Sequence, residues 1–126
     1  MKISKKQKIA RIGITMGDPS GIGPAIIKKA LARLYKNTNI TIIGDRWVFD
    51  KVRYTESGMQ NVKFIDLKNV ARSNFSFGRV KAEYGRASIE YLDKALGLIE
   101  NNELDCLVTC PISKESINLA GYRYTG

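Results

Sequence analysis

The sequence predicts an α/β fold with parallel-sheet α/β/α layers, in which helices cover both faces of a parallel sheet. Three observations support this. Strand, glycine-rich loop, helix and strand patterns follow one another over residues 8–44, the order of a right-handed βαβ unit. A long amphipathic helix follows at residues 82–101. An almost uniformly apolar strand comes next, as is typical of strands buried in parallel sheets.

The first βαβ unit begins with a strand over Lys8–Thr15 that ends at the glycine-rich loop. A helix is predicted from Pro24 to about Tyr35, because proline suits the first helical position, where its missing N–H would be unpaired anyway. Apolar residues at spacings of three and four predict the face of this helix that lies on the sheet: Ile27, Ala30, Leu31 and Leu34. A second strand over Ile40–Gly44 completes the unit.

The middle of the chain predicts a helix, a strand and an irregular segment. The helix covers Arg46–Glu56 and the third strand covers Val62–Leu67. Residues 68–78 are polar and irregular but contain Phe75 and Phe77. These two rings either anchor the segment to the core or cover a site, and the sequence leaves both possibilities open.

The last third of the chain predicts a long helix, a strand and a short helix. The long helix over residues 82–101 is expected to bury an apolar stripe at helical spacing: Ile89, Leu92, Leu96 and Ile99. The strand over Leu104–Thr109 is too apolar to be half exposed, so we expect it to be central and parallel. Ser113 then N-caps a short helix that continues to about Ala120 and is closed by Gly121.

Composition and charge narrow the functional classes. The 126 residues include 21 Lys and Arg against 12 Asp and Glu, a net charge of +9. Aromatic residues do not interleave with the basic clusters and no nucleic-acid motif is present, so we expect a basic solvated surface and no nucleic-acid partner. No apolar run reaches the ~20 residues of a membrane-spanning helix, and no signal-peptide pattern occurs. A cytoplasmic protein without a membrane partner is therefore expected.

The two cysteines are not expected to form a redox or metal-binding pair, and the chain has no histidine to serve as a metal ligand or general base. Cys106 and Cys110 fall in a predicted buried strand, too far apart in an extended chain to form a disulfide. They are expected to be small core residues in a reducing compartment. The sequence contains no histidine, which removes the commonest metal ligand and general base.

The glycine-rich loop is the first candidate site. Gly17, Gly21 and Gly23 allow turns and close backbone approach to a ligand, and the helix that follows favours an anion such as phosphate at its N-terminus. The spacing G-x-x-x-G-x-G-P matches neither G-x-G-x-x-G nor the P-loop. A tight βα turn without a ligand is therefore the alternative. Asp18 either lines the site or accepts hydrogen bonds from backbone N–H groups in its own loop.

The second candidate site lies after the last predicted strand. Thr109 and Pro111 follow that strand to the carboxyl edge of the sheet, where open α/β proteins bind their ligands. Lys114 stands at the start of the next helix, where its charge would neutralise a phosphate or carboxylate. A surface lysine without that role is the alternative.

Two strings give the sequence a family resemblance. I-T-M-G-D-P-S-G-I-G-P resembles the N-terminal signature of the 4-hydroxythreonine-4-phosphate dehydrogenase (PdxA) family and, more distantly, the opening of isocitrate and isopropylmalate dehydrogenases. L-V-T-C-P-I-S-K-E-S-I-N-L-A-G is similar to the family segment T-x-P-I-N-K-E-x-x-x-x-A-G. The chain departs from the family at Ala25, where an acidic residue is frequent, and at Ser113, where asparagine is common.

The resemblance implies a fold and an activity. Residues 1–126 would be the N-terminal α/β portion of an isocitrate/isopropylmalate-dehydrogenase-like fold. The implied reaction is oxidation and decarboxylation of 4-hydroxy-L-threonine 4-phosphate in pyridoxal phosphate biosynthesis. It requires NAD and a divalent metal (Zn, Mg or Co) and takes place in a homodimer. In the family the catalytic residues and metal ligands follow the segment matched by Gly121–Gly126, so this chain is expected to contain neither and to be an inactive fragment.

The resemblance also assigns seven residues to one wall of the cofactor and substrate cleft: Gly17, Asp18, Gly21, Gly23, Thr109, Pro111 and Lys114. Two other functions remain open. Dehydrogenases of related phosphorylated four-carbon sugar acids, such as threonate or erythronate phosphate, share these motifs. A non-catalytic module that binds phosphate or a nucleotide is the other.

Overall fold

The computed structural model describes residues 9–34, 38–53 and 62–123, which form four strands and four helices. The strands are β1 (Arg11–Thr15), β2 (Asn39–Gly44), β3 (Val62–Asp66) and β4 (Cys106–Thr109). The helices are α1 (Gly23–Leu31), α2 (Arg46–Lys51), α3 (Ala82–Glu100) and α4 (Lys114–Leu119).

The strands form one parallel sheet in the order β3-β2-β1-β4. Thr15 is aligned with Ile43 on one side and with Thr109 on the other, so three strands end at the same edge of the sheet. The chain moves outward from β1 to β3 and then returns to the other side of β1. The order therefore reverses between β1 and β4, and the carboxyl end of such a switch point is where α/β sheets bind ligands.

The chain adds β2 and β3 on one side of β1 and β4 on the other, so its connecting helices lie on opposite faces of the sheet. Right-handed crossovers put α1 and α2, which contact each other, on one face. The return crossover puts α3 on the other face, where it packs across β1 and β2 and against α4. The parallel α/β fold with layered helices is therefore confirmed.

Strand β4 is fixed to β1 at both ends. At the amino end, the Arg11 backbone N–H donates to Asp105 Oδ2 (2.7 Å) and the Arg11 guanidinium pairs with Asp105 Oδ1 (2.9 Å). At the carboxyl end, the Cys110 N–H donates to the Thr15 carbonyl (3.1 Å). These contacts set the register in which β4 presents its following residues to the end of β1.

Helix α1 is shorter than its sequence pattern indicates. It ends at Leu31, and its buried apolar residues are Pro24, Ile27 and Leu31. Ala30 is exposed and Leu34, beyond the helix end, is 41% exposed, so their predicted burial is wrong. Because α1 has only nine residues, it presents a shorter apolar face to the sheet than the predicted helix would.

Helix α2 ends at Lys51, before the predicted Glu56. Residues 54–61 lie outside the described part of the chain, so the rest of that prediction is not described. Val48 and Phe49 of α2 are fully buried and join the core.

The extent of α3 is confirmed, but its predicted buried stripe is wrong. Leu96 is 45% exposed, and the other three predicted residues are only half-buried. The helix instead buries a face made of tyrosines, alanines and one leucine: Tyr84, Ala87, Tyr91, Ala95 and Leu98. This face is offset from the predicted stripe by one residue, or about 100° around the helix axis. Small residues let α3 approach the sheet and α4, and the tyrosine rings fill the remaining space.

Strand β4 is parallel, as predicted, but its predicted central position is wrong. Within the described residues it is an edge strand, with Cys106 exposed and Val108 51% exposed. Both cysteines are free, and only Cys110 has the predicted core position. None of the described helices combines the length and apolarity needed to cross a bilayer.

Candidate functional site

The two loops that the sequence singles out meet at the switch point. The Asp18 N–H donates to the Pro111 carbonyl (2.9 Å), which links the glycine loop after β1 to the turn after β4. A Cβ on Gly17 would lie 2.3 Å from the same carbonyl oxygen. This hydrogen bond and this close approach therefore bring the two motif loops together at the carboxyl edge of the sheet.

Two glycines of the loop are required by contacts within the chain. Gly17 has a φ of +70°, and a Cβ on Gly23 would lie 2.0 Å from the Met16 carbonyl oxygen. A side chain at either position would force backbone atoms apart. These contacts account for Gly17 and Gly23 without a ligand, so the predicted close approach of a ligand to them stays a prediction.

Asp18 stabilises its own loop. Its Oδ1 accepts a hydrogen bond from the Ser20 N–H (3.0 Å), and its carbonyl accepts one from the Gly21 N–H (2.9 Å). Burial raises the pKa of Asp18 above the ordinary carboxyl value, although the hydrogen bond from Ser20 opposes the shift. The alternative role as a backbone acceptor is therefore what the structure contains.

Ser20 connects the glycine loop to the irregular segment before α3, a connection that sequence reasoning missed. Its hydroxyl donates to the Ser76 carbonyl (2.9 Å) and accepts from the Arg79 N–H (2.8 Å). Its carbonyl accepts from the Gly78 N–H (2.7 Å). Ser20 is 1% exposed, and its three hydrogen bonds hold the two segments together.

The same segment also contacts α4. The Lys81 N–H donates to Ser116 Oγ (3.2 Å), and a Cβ on Gly85 would lie 2.0 Å from the Ser116 carbonyl oxygen. Residues 76–81, called here the bridging segment, therefore connect the glycine loop to α4. Ser116 occupies the α4 position where a capping box has Glu or Gln. This departure was the only hint in the sequence that Ser116 has another role.

Phe75 anchors the start of the bridging segment to the core. Its ring centre lies 4.9 Å from that of Trp47, 5.5 Å from that of Tyr84 and 5.1 Å from that of Phe77. Phe77 is 42% exposed. The sequence left open whether these rings anchor the segment or cover a site, and Phe75 anchors it to the core. The segment that Phe75 anchors also lies against the glycine loop.

Both acidic and basic groups lie around the two motif loops, and the acidic ones are Asp18 and, in the first turn of α4, Glu115. Helix α1 has no acidic residue in its first turn and no side-chain cap, so its N-terminal N–H groups keep their partial positive charge. Lys114 is exposed and begins α4, whose N-cap Ser113 accepts from the Ser116 N–H (3.2 Å) as predicted. Thr109 and Pro111 are exposed beside it, and so is Arg79 on the bridging segment.

A buried carboxylate lies at the end of the neighbouring strand, and sequence reasoning did not single it out. Asp45 follows β2, is fully buried, and accepts hydrogen bonds from Tyr91 Oη (2.6 Å) and the Val70 N–H (3.0 Å). Burial raises the pKa of Asp45. Asp45 therefore connects the end of β2 to α3 through Tyr91, and to the segment that precedes the bridging segment through Val70.

The described residues do not fit a metal centre. Within residues 9–34, 38–53 and 62–123, no three His, Cys, Asp or Glu side chains gather to hold an ion. Burial raises the pKa of the Cys110 thiol to about 11, so it is protonated at neutral pH and a poor ligand. No step through a metal follows from these residues.

Sequence comparison relates the chain to a family and to named relatives. The family model described as "Pyridoxal phosphate biosynthetic protein PdxA" matches residues 15–126. A "Putative D-threonate 4-phosphate dehydrogenase" of Clostridium botulinum is 32% identical over 91% of this chain and 40% of its own length. A 4-hydroxythreonine-4-phosphate dehydrogenase of Sulfurihydrogenibium is 33% identical over 94% of this chain and 40% of its own length. The chain thus spans about 40% of the length of these relatives.

Structure comparison finds the same class of fold. A 4-hydroxythreonine-4-phosphate dehydrogenase from Burkholderia phymatum is similar with a TM-score of 0.82 and 27% identity, covering 95% of this chain and 42% of the solved one. A terephthalate 1,2-cis-dihydrodiol dehydrogenase from Burkholderia xenovorans has a TM-score of 0.76 and 28% identity, covering 93% and 38%.

Proposed function

The chain belongs to the PdxA family of pyridoxal phosphate biosynthetic proteins, and from this premise we propose that it forms the phosphate-binding wall of a dehydrogenase. The reaction would be oxidation and decarboxylation of 4-hydroxy-L-threonine 4-phosphate in pyridoxal phosphate biosynthesis. Relatives named as dehydrogenases of this substrate and of D-threonate 4-phosphate support it.

The observation that carries the proposal is the junction of the two motif loops at the switch point. The hydrogen bond between the Asp18 N–H and the Pro111 carbonyl brings the start of α1 and the start of α4 to one edge of the sheet. The first turn of α1 contains no acidic residue and has no side-chain cap, which favours a phosphate there, while Asp18 stands in the preceding loop. Lys114 would add a positive charge on the opposite side of the junction.

In this proposal the residues of the chain bind and orient the substrate. The N–H groups of Gly23 and Ala25 would hold phosphate oxygens, because Pro24 has no N–H and the Ile26 N–H already donates to the Ile22 carbonyl. Lys114 would neutralise a phosphate or carboxylate. Ser20 would keep the bridging segment against the glycine loop, so that the wall is rigid before the substrate arrives. The catalytic residues would come from other parts of the enzyme.

The proposal includes two cofactors and an environment. NAD would accept the hydride, and a divalent metal (Zn, Mg or Co) would act as Lewis acid, with its ligands supplied by residues other than those described. We propose a cytoplasmic homodimer whose partners are small phosphorylated substrates rather than nucleic acid or membrane. Free cysteines in the described structure support a reducing compartment.

D-threonate 4-phosphate is a second candidate substrate, because several relatives are named for it. Several similar proteins carry the name D-threonate 4-phosphate dehydrogenase. Its substrate has the same four-carbon length and terminal phosphate as 4-hydroxythreonine 4-phosphate, so the proposed wall would hold either one.

Intact mass and activity test the proposal together. The protein expressed from its own gene is purified and its mass is measured. NAD⁺ reduction is then followed with each of the two substrates and with Zn²⁺, Mg²⁺ or Co²⁺. The 126-residue chain is assayed in parallel, and we expect it to show no turnover.

A native protein longer than 126 residues that reduces NAD⁺ supports the dehydrogenase, and the ratio of kcat/KM values decides between the two substrates. A native product of 126 residues that folds and binds inorganic phosphate without turnover overturns the proposal. That outcome would indicate a non-catalytic phosphate- or nucleotide-binding module.

A further inference from the structure

A second concave site lies away from the junction of the two motif loops. A groove of about 430 Å³ opens at the carboxyl ends of β2 and β3 and is called here the Trp47 groove. Trp47 and Val70 are its apolar lining residues, and Val70 is itself buried in the core. The motif loops, in contrast, meet at the carboxyl ends of β1 and β4.

The indole of Trp47 is held in a fixed position. Its Nε1–H donates to the Val70 carbonyl (3.0 Å), and its ring makes an edge contact with Phe75, with ring centres 4.9 Å apart. Trp47 is half-buried, so part of the indole remains accessible in the groove. A fixed, partly exposed aromatic ring loses little entropy when an apolar group packs on it.

The acidic groups that line the groove are already engaged. Asp50 Oδ1 lies 3.3 Å from Arg46 Nε in an ion pair. Asp66 Oδ1 accepts hydrogen bonds from two backbone N–H groups, those of Arg46 (3.1 Å) and Lys68 (3.2 Å). Three cations and these two carboxylates line the groove, which leaves it with one net positive charge.

Two cations of the groove have no ion pair within the part of the chain that the structure describes: Lys68 and Arg72. The Arg72 guanidinium carbon lies 5.6 Å from the Trp47 ring centre. Stacking on an aromatic ring orients a guanidinium and leaves its in-plane N–H donors available to an anion. Lys68 also lines the groove, so two positive charges face one cavity beside an aromatic ring.

We propose that the Trp47 groove binds a phosphate monoester that carries an aromatic or apolar portion. A phosphate monoester has a charge near −2 at neutral pH, which matches the two unpaired cations better than a single carboxylate does. The apolar portion packs against Trp47. This site is independent of the substrate wall proposed above, since it uses different residues and different strand ends.

Trp47 provides the readout, because the sequence contains a single tryptophan. Its fluorescence is excited at the red edge of indole absorption, which avoids the tyrosines, and is followed during titration of the 126-residue chain. The probes are AMP, which has both ring and phosphate, adenosine, which lacks the phosphate, and inorganic phosphate, which lacks the ring. We expect a saturable change with AMP and binding about tenfold or more weaker for the other two probes.

Matched variants separate the groove from general surface charge. Arg72→Gln and Lys68→Gln are each expected to weaken AMP binding about tenfold, since each removes a charge-assisted contact. Arg86→Gln and Lys94→Gln remove the same charges from exposed positions of α3, on the other face of the sheet, and are expected to leave AMP binding unchanged. Circular dichroism confirms that each variant is folded.

Three outcomes would overturn the proposal: no saturable response to AMP in the folded wild-type chain, adenosine binding as tightly as AMP, or equal weakening by the groove and α3 variants. None of them bears on NAD⁺ reduction, so failure here is distinguishable from failure of the proposed dehydrogenase.

Discussion

Ser20 shows how one hydroxyl organises the candidate site at the scale of a single residue. Ser20→Ala removes the hydrogen bonds to the Ser76 carbonyl and from the Arg79 N–H. Both bonds are part-buried, so water can replace part of what is lost, and we expect the free energy of unfolding to fall by about 0.5–1.5 kcal/mol. Amide exchange at Arg79 is expected to accelerate, which hydrogen exchange measured by NMR would detect.

The matched control is Ser73→Ala, a serine at an exposed position before the bridging segment. It should change the free energy of unfolding by less than about 0.5 kcal/mol. If both variants lose stability equally, the Ser20 hydroxyl does not have the structural role described above.

Asp45 gives the chain a specific dependence of stability on pH. Because burial raises the pKa of Asp45 in the folded state, the folded protein binds a proton here more tightly than the unfolded chain does. Between the ordinary carboxyl pKa and the raised value, the contribution of Asp45 to the free energy of unfolding therefore falls as pH rises. Asp45→Asn cannot ionise, and we expect it to lose this slope.

The measurement is denaturant unfolding of wild type and Asp45→Asn at several pH values across the acidic range. The difference in unfolding free energy, wild type minus variant, should decrease as pH rises. Asp93→Asn, at an exposed position of α3, is the control for replacing a carboxylate by an amide. A difference for Asp45→Asn that is constant or rises with pH would contradict the expectation.

Among the elements, α3 carries two glycines with opposite surroundings. A Cβ on Gly85 would lie 2.0 Å from the Ser116 carbonyl oxygen of α4, whereas a Cβ on Gly97 would meet nothing within 4 Å. Gly85→Ala must push the two helices apart, and we expect a loss of about 1–3 kcal/mol. Gly97→Ala should stabilise the helix by about 0.5–1 kcal/mol, because glycine in a helix interior is costly.

Thermal and denaturant unfolding of both variants test this pair, with each acting as the control of the other. If both variants changed the free energy of unfolding equally, helix propensity alone would explain the effects. The close contact between α3 and α4 would then contribute nothing to stability.

Local signals predicted the elements better than their buried faces. The N-cap of α4 was predictable because Ser113 and its acceptor role involve neighbouring residues of the chain. The buried face of α3 was not, because it depends on the backbone of Ser116, on the sheet and on Asp45, which the chain brings together only in the fold. The aliphatic stripe, with Leu96 exposed, is the stronger periodic signal but not the buried face.

At the scale of the whole molecule, β4 leaves an apolar edge on the sheet. Its backbone edge is unpaired within the described residues, and Val108 is 51% exposed. Such an edge promotes pairing with another chain. We expect the 126-residue chain to self-associate with rising concentration, and Val108→Lys to weaken association about tenfold or more through like-charge repulsion between copies.

Analytical ultracentrifugation of both proteins measures the effect. Val80→Lys places the same change at another exposed valine (47%), on a loop rather than an edge strand, and should leave association unchanged. If Val80→Lys weakens association as much as Val108→Lys does, net charge rather than the β4 edge controls it.

The meeting of the two motif loops at one edge of the sheet was predictable at this scale, but the contacts that support it were not. Strand ends and glycines placed Gly17 and Pro111 at one edge because parallel strands all end there. The contacts that fix this arrangement come from the bridging segment, whose sequence has no periodicity. Ser20 and Arg79 are 59 positions apart, and no local pattern indicates that they meet.

The pairing of β1 with β4 also sets an order of events in time. The contact between Arg11 and Asp105 spans 94 positions along the chain, whereas β1 and β2 are joined by a single helix and its loops. Closing the longer loop costs more entropy before any contact repays it, so β4 is expected to dock late during folding. During synthesis on the ribosome, the glycine loop is made before Pro111, so we expect the junction at the switch point to be among the last features to form.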